Sequence, residues 1–252
     1  MGAPFTVTAA QTAAQANGML LRVLVLTGAS LQQNGAAGTQ SAAAAHTVTL
    51  TTTEPGSVVW SVTYNGNAGA VDPSTGNTAL DAVLDTTNAC AYATLYSAAT
   101  VTPGSFTAGV IDSYNGGCAA MEVLPAVSGG TITTDASGPA AVDTFAAQTV
   151  TTAAFNPPPG SLLLALVSAN GLPAFDGPPA ETVSVSGGGL TWSPAVQANA
   201  AGEQYAGIWT AVVPQPVPAA PRFRSTPPRR AVTGNNVSSG DGNPVFPLLL
   251  AN

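Results

Sequence analysis

Twenty-seven glycines and twenty-one prolines are spread through this 252-residue chain, and no long helix tolerates that density. The segments between them are short and β-like. FTVTA, LRVLVLTG, HTVTLTTT, SVVWSVTY, ALDAVLD, YATLYSA, FTAGVIDS and MEVLPAV are rich in Val, Thr, Leu and Tyr, and several alternate apolar with polar. Turn formers separate them: Asn17-Gly18, Pro55-Gly56, Asn65-Gly66, Pro103-Gly104 and Asn115-Gly116. The chain reads as all-β. The Ala-rich piece QTAAQAN, 11–17, has room for one turn of helix, too short to stand alone.

One phrase returns. EPGSVVWSV, from Glu54, is matched by PPGSLLLAL, from Pro158. Thr47-Val48-Thr49 precedes the first and Thr149-Val150-Thr151 the second. Further on, AYATLYSA (91–98) aligns with QYAGIWTA (204–211), with ALDAVLD in the first gap and ETVSVSGGGLTW in the second. Four correspondences in one order predict a duplicated β domain. A second echo joins FTVTAAQTAAQANGMLLRVLVLTGAS to FTAGVIDSYNGGCAAMEVLPAVS, which places one hairpin type at both ends of the first domain.

These signals predict two tandem antiparallel β-sandwich domains. The first covers 1–127, with eight strands that suggest a jelly roll. Residues 128–144 form a linker, and 145–213 a second, related sandwich. The rival is a pair of immunoglobulin-like sandwiches, although Trp60 lies outside the Cys90–Cys118 pair and the antibody Cys…Trp…Cys order fails. Residues 214–252 form a Pro/Arg-rich C-terminal segment that no strand can run through, extended on the surface or on a partner, with an apolar close PVFPLLLAN.

Charge narrows the function. There is no Lys, and only five Arg, four of them between Arg222 and Arg230. Up to Gln215 the basic side chains are Arg22 and His46, so the body has no footprint for nucleic-acid phosphate. No apolar run is long enough for a membrane helix, and the best, MLLRVLVL, holds Arg22. The opening MGAPFTV lacks the basic and apolar regions of a secretory signal, while Gly2 with Thr6 fits the loose myristoylation pattern. Charges normally guard exposed sheet edges, and few exist here, so the composition predicts an assembly component whose edges neighbours cover.

No motif announces chemistry. Asp81 and Asp85, on one face of a strand, would stand about 13 Å apart, too far for a glycosidase pair. They read as a solvated face. His46 is alone, after four alanines, and looks like a loop residue; no G-x-S-x-G elbow accompanies it. Asp72, Asp176 and Asp241 read as turn residues, and SGGGLTW (186–192) as a hairpin turn without the Lys of a phosphate loop. No cofactor or metal site is expected, since one His and no C-x-x-C pair are present. Cys90 and Cys118 form either a disulfide between neighbouring strands or two buried thiols. Among the aromatics, Trp60 and Trp209 sit in apolar runs and read as core. Trp192 and Tyr114, beside Gly-rich loops, are the candidates for stacking on a glycan ring. Arg222, Arg224, Arg229 and Arg230 are candidates for an acidic partner.

The long N-terminal phrase FTVTAAQTAAQANGMLLRVLVLTGAS, with PGSLLLALVSANG, VSGGGLTWSPAV and GIWTAVV, resembles the minor tail proteins of phages that infect actinobacteria. The likeness spans most of residues 5–213 and rests on texture and short phrases. It implies a non-enzymatic virion protein at the tail tip or in a fibre, commonly trimeric, in contact with other virion subunits and with host-envelope glycan. It carries over no functional residue, and the Pro/Arg-rich tail departs from it. Two other classes fit the composition: a secreted or surface carbohydrate-binding module, which would be extracellular, and a capsid decoration protein.

Overall fold

A computed structural model describes residues 4–12, 18–43, 46–111, 116–170, 182–200 and 204–215. They form sixteen strands: β1 (Val7–Gln11), β2 (Gly18–Thr27), β3 (Ala29–Ala43), β4 (His46–Thr52), β5 (Val58–Asn65), β6 (Asn77–Asp85), β7 (Cys90–Ser97), β8 (Gly104–Val110), β9 (Gly116–Pro125), β10 (Thr133–Thr134), β11 (Val142–Thr144), β12 (Thr149–Thr151), β13 (Leu162–Asn170), β14 (Val183–Gly187), β15 (Ser193–Ala200) and β16 (Gln204–Val212). All pairings between them are antiparallel. The all-β sandwich architecture expected from the sequence is what the chain adopts. The Ala-rich piece 11–17 falls mostly outside the described residues, and its first residue, Gln11, ends β1.

The strands make four sheets in four layers. A two-stranded outer sheet, β4-β8, faces a five-stranded inner sheet, β3-β9-β5-β7-β6. A second inner sheet runs β10-β2-β13-β16-β15, with β11 also on β2, and it faces a second outer sheet, β12-β1-β14. Val48, Val59, Ala108 and Ala120 fill the first sandwich. Val7, Leu21, Val150, Leu163 and Trp192 fill the second. A third layer, with Trp60, Met121, Leu24, Leu164 and Ile208, joins the two inner sheets back to back. Every residue of β9 and of β13 is therefore buried. This is why LLLALV reads as a continuous apolar run and not an alternation: both faces of its sheet are covered. Each leucine so buried contributes roughly 1.5–3 kcal/mol.

The duplication is present in the pairing itself. Inner sheet one contains β9-β5-β7-β6 and inner sheet two β2-β13-β16-β15; the outer sheets contain β4-β8 and β12-β1. Strand for strand these correspond. The repeated turn is also the same object twice. Ser57 Oγ donates to Glu54 O at 2.8 Å, and Ser161 Oγ to Pro158 O at 2.8 Å. Gly56 and Gly160 both have positive φ, 84° and 78°, at the third turn position. Gly56 N donates to Val101 O and Gly160 N to Val213 O. The inner sheets pack with β5 over β13, β9 over β16, β7 over β2 and β3 over β15.

The domain division differs from the one expected. Residues 1–216 are one compact unit, and the first sandwich is built from β3–β9 alone. Strands β1 and β2 belong to the second sandwich, where β1 lies between β12 and β14, and β2 between β10 and β13. Thus the echo between the two hairpins is that of β1–β2 with β8–β9, the closing strands of each sandwich. The chain passes from one inner sheet to the other across Gly28, between Thr27 and Ala29. The expected linker 128–144 holds β10 and β11, both paired with β2.

Two further alignments shift. The counterpart of β6 is β15, not β14, which is an added strand of the second outer sheet. AYATLYSA and QYAGIWTA are one residue out of step: Tyr92 packs with Tyr64 and Leu20 between the sandwiches, whereas Tyr205 packs inside the second sandwich. A one-residue slip sends a side chain to the opposite face.

Candidate functional site

The first sandwich contains a buried carboxylate in a cage of donors. Glu122, on β9, is fully buried. It accepts from Ala36 N at 2.9 Å, Thr53 N at 2.9 Å, Glu54 N at 3.2 Å, Thr53 Oγ1 at 3.1 Å and Ser57 Oγ at 2.7 Å. Burial alone would raise its pKa; the bonds from Ala36 N, Ser57 Oγ, Thr53 N and Glu54 N outweigh burial and hold the carboxyl below its ordinary range. The cage pins the Glu54–Ser57 turn and the bulged β3 to the end of β9. With every oxygen taken up by the fold, this is a structural carboxylate and not an acid–base group.

A second polar cluster lies near the join of the sandwiches. Asp85 Oδ1 accepts from Thr87 N and Asn88 N, each at 3.0 Å, and Oδ2 from Asn88 Nδ2 at 2.6 Å. Cys90 Sγ donates to Tyr92 Oη at 3.2 Å, and Asn170 Nδ2 donates to Cys90 Sγ at 3.6 Å. Burial pushes the Cys90 thiol up to about 11, and burial with the adjacent Cys90 pushes the Tyr92 phenol upward too. A thiol so protonated is no nucleophile. Asp85 is therefore buried, not on the solvated face expected. Asp81 is half-buried; it accepts from Thr94 Oγ1 at 2.6 Å and pairs with Arg22 of the other inner sheet, 3.7 Å from Nη1 to Oδ1. The sandwich junction thus holds the one arginine in the described residues.

The disulfide reading is overturned: Cys90 and Cys118 are both free and buried. β5 lies between β7 and β9, and the thiols point to opposite faces, Cys118 into the first sandwich and Cys90 toward the second. Burial raises the Cys118 thiol to about 12. His46 is not a loop residue but the first residue of β4, fully buried against Gly116. Among the described residues no group of three or more His, Cys, Asp or Glu could hold a metal, and no helix is long and apolar enough to cross a membrane.

Of the aromatic candidates, Trp192 is 9 % exposed and in the core of the second sandwich, its Nε1 donating to Gly187 O at 3.2 Å. The Gly-rich turn beside it bends the chain so that the indole packs inward, which removes it as a stacking surface. Tyr114, Arg222, Arg224, Arg229 and Arg230 lie outside the described residues, as do Asp176 and Asp241.

The open aromatic site is elsewhere. A groove of about 360 Å³ lies at the edge of the layer between the sandwiches. Trp60 and Tyr96 form part of its wall, ring centroids 5.3 Å apart and tilted by 32°. Val58, Leu80 and Ile132 supply aliphatic surface. Trp60, read as core from the apolar run VVWSV, is a core residue; the pairing of β5 with β7, which sets it opposite Tyr96, brings the two rings together. Comparison with known protein families, with curated proteins and with solved structures finds no match for this chain.

Proposed function

We propose that the chain is a non-catalytic structural subunit of a phage virion, a tail-tip or fibre component that works covered by neighbouring subunits, and that each sandwich is a jelly roll. The observation that carries this reading is the chemistry of the outer faces. Thr8, Thr149, Thr151, Ser184 and Ser186 point outward from one end sheet, and Thr47, Thr49, Thr51, Ser105 and Thr107 from the other. Their hydroxyls already pair across strands: Thr8 with Thr151 at 2.8 Å, and Thr49 with Thr107 at 3.2 Å. A charge-free face whose polar groups are partnered loses little when a neighbour excludes water from it. The resemblance in sequence texture to minor tail proteins points the same way.

Poor edge protection supports the reading less than the composition suggested. β3 is bulged at three places, β6 is bulged between Ala79 and Asp81, β15 carries Pro194 beside a bulge, and β10 is two residues long. Those devices blunt edges without charges. The case therefore rests on the faces. The test is the mass of the purified chain in solution. A stable homo-oligomer, with a trimer as the expected number, supports a virion subunit; a monodisperse monomer across the accessible concentration range rejects it.

A further inference from the structure

We infer that the Trp60–Tyr96 groove is a binding site for a neutral sugar ring. Three observations carry the inference. Trp60 is 4 % exposed, and its Nε1 is buried with no acceptor. A buried indole N–H without a partner costs stability and is rare in a settled core. Next, the groove is lined by aromatic and aliphatic surface, with the hydroxyl residues Ser97, Thr100 and Thr134 and no charged side chain. Its size falls in the range of small-molecule sites. Finally, the groove is not dictated by the duplicated fold. At the matched positions of the second sandwich Leu164 replaces Trp60 and Thr210 replaces Tyr96, as their pairing on β13 and β16 shows.

A pyranose ring fits these features together. Its C–H face packs on an aromatic ring, a ring hydroxyl accepts from Nε1, and its other hydroxyls exchange hydrogen bonds with the rim. An anionic ligand finds no cation in this lining, and a purely aliphatic one leaves the indole N–H unpaired. Nε1 is itself shielded from solvent, so pairing it with a ligand requires side-chain movement; Tyr96, the other ring of the lining, is half-buried.

The test uses the full chain with maltotriose, cellotriose and tri-N-acetylchitotriose, read by saturation-transfer NMR and by indole emission. At least one trisaccharide should receive saturation on ring protons. Tyr96→Leu, which keeps apolar bulk in the lining, should weaken that binding about tenfold, as expected from loss of an aromatic contact of about 1.4 kcal/mol. Trp60→Phe, which keeps a ring and removes the N–H, should weaken it several-fold. Absence of transfer from all three sugars at millimolar concentration would overturn the inference. So would binding unchanged in Tyr96→Leu with native melting, or binding of an apolar dye at the groove without any sugar. None of these outcomes bears on the oligomer test, so the two readings fail separately.

Discussion

The two sandwiches solve one problem in opposite ways. In the first, Glu122 is held by N–H groups of Thr53 and Glu54 in the repeated turn. In the second, the residue at the matched place on β2 is Val25, opposite Leu163 as Glu122 is opposite Val59. The two donors are there replaced by Pro157 and Pro158, which have no N–H to give. Acceptor and donors are absent together. A buried carboxylate is tolerable only with its donors, and prolines are harmless only where no acceptor waits for them. One fold thus accepts a polar or an apolar staple, provided both sides of the contact agree.

The largest expected effect breaks the polar staple. Glu122→Val should destabilise the chain by about 3 kcal/mol, because it strands several buried donors; chemical denaturation followed by tryptophan emission would measure it. Val25→Glu, burying a carboxylate against the proline-flanked turn, should be at least as damaging. A variant with both changes should gain nothing from the second, since the donors stay in the first sandwich. Equal tolerance of the two single changes would mean that the staple carries no energy.

Acid should separate the halves as well. The Glu122 pKa is lowered in the fold, so its stabilisation is fully present above the ordinary carboxylate value of 4.5 and is lost as pH falls through the lower folded value. Stability measured from neutrality downward should drop below that ordinary value, and Glu122→Gln should remove most of the drop. An unchanged acid limb in Glu122→Gln would assign it to other carboxylates.

The turn glycines give a smaller contrast. A Cβ on Gly56 would stand 2.7 Å from the backbone oxygen of Gly130, whereas one on Gly160 would meet the side chain of Gln215 at 2.5 Å. Positive φ costs roughly 1–2 kcal/mol for any L side chain. Gly56→Ala should therefore cost about 2 kcal/mol and Gly160→Ala about 1 kcal/mol, because a glutamine side chain swings aside and a backbone carbonyl does not. Thermal melts of the two variants decide the order. The smallest effect concerns the thiols: with both raised by burial, maleimide should label neither at neutral pH until denaturant is added. Rapid labelling of Cys118 in the native protein would show that the first sandwich opens.

Much of this was readable in the sequence, and what was not has a physical reason. Alternation in HTVTLTTT gave β4, and the Pro-Gly-Ser phrase gave the duplication, because turn chemistry is local. β3 carries no local strand signal: ASLQQNGAAGTQSAA has few β-branched residues, and pairing with β9 holds it extended. The place of β1 and β2 has no local signal either, since Thr8 meets Thr151 across a separation no local pattern records. Trp192 was misplaced for the same reason, whereas Trp60 is core as its apolar run suggests. Neighbouring glycines suggest exposure and neighbouring valines suggest burial, but a groove between sheets is made by residues far apart.

The comparison stands on β1 and β2 completing the second sandwich, as β8 and β9 complete the first. Thr8 and Thr151 are directly opposed, and so are their counterparts Thr107 and Thr49. The direct measurement is peptide mapping of two double-cysteine variants, Thr8→Cys with Thr151→Cys and Thr49→Cys with Thr107→Cys, after mild oxidation. Opposed strand residues lie within disulfide reach, so both variants should cross-link within one chain to similar extents. A cross-link in the 49/107 variant alone, with residue 8 left free or joined to another chain, would contradict the account.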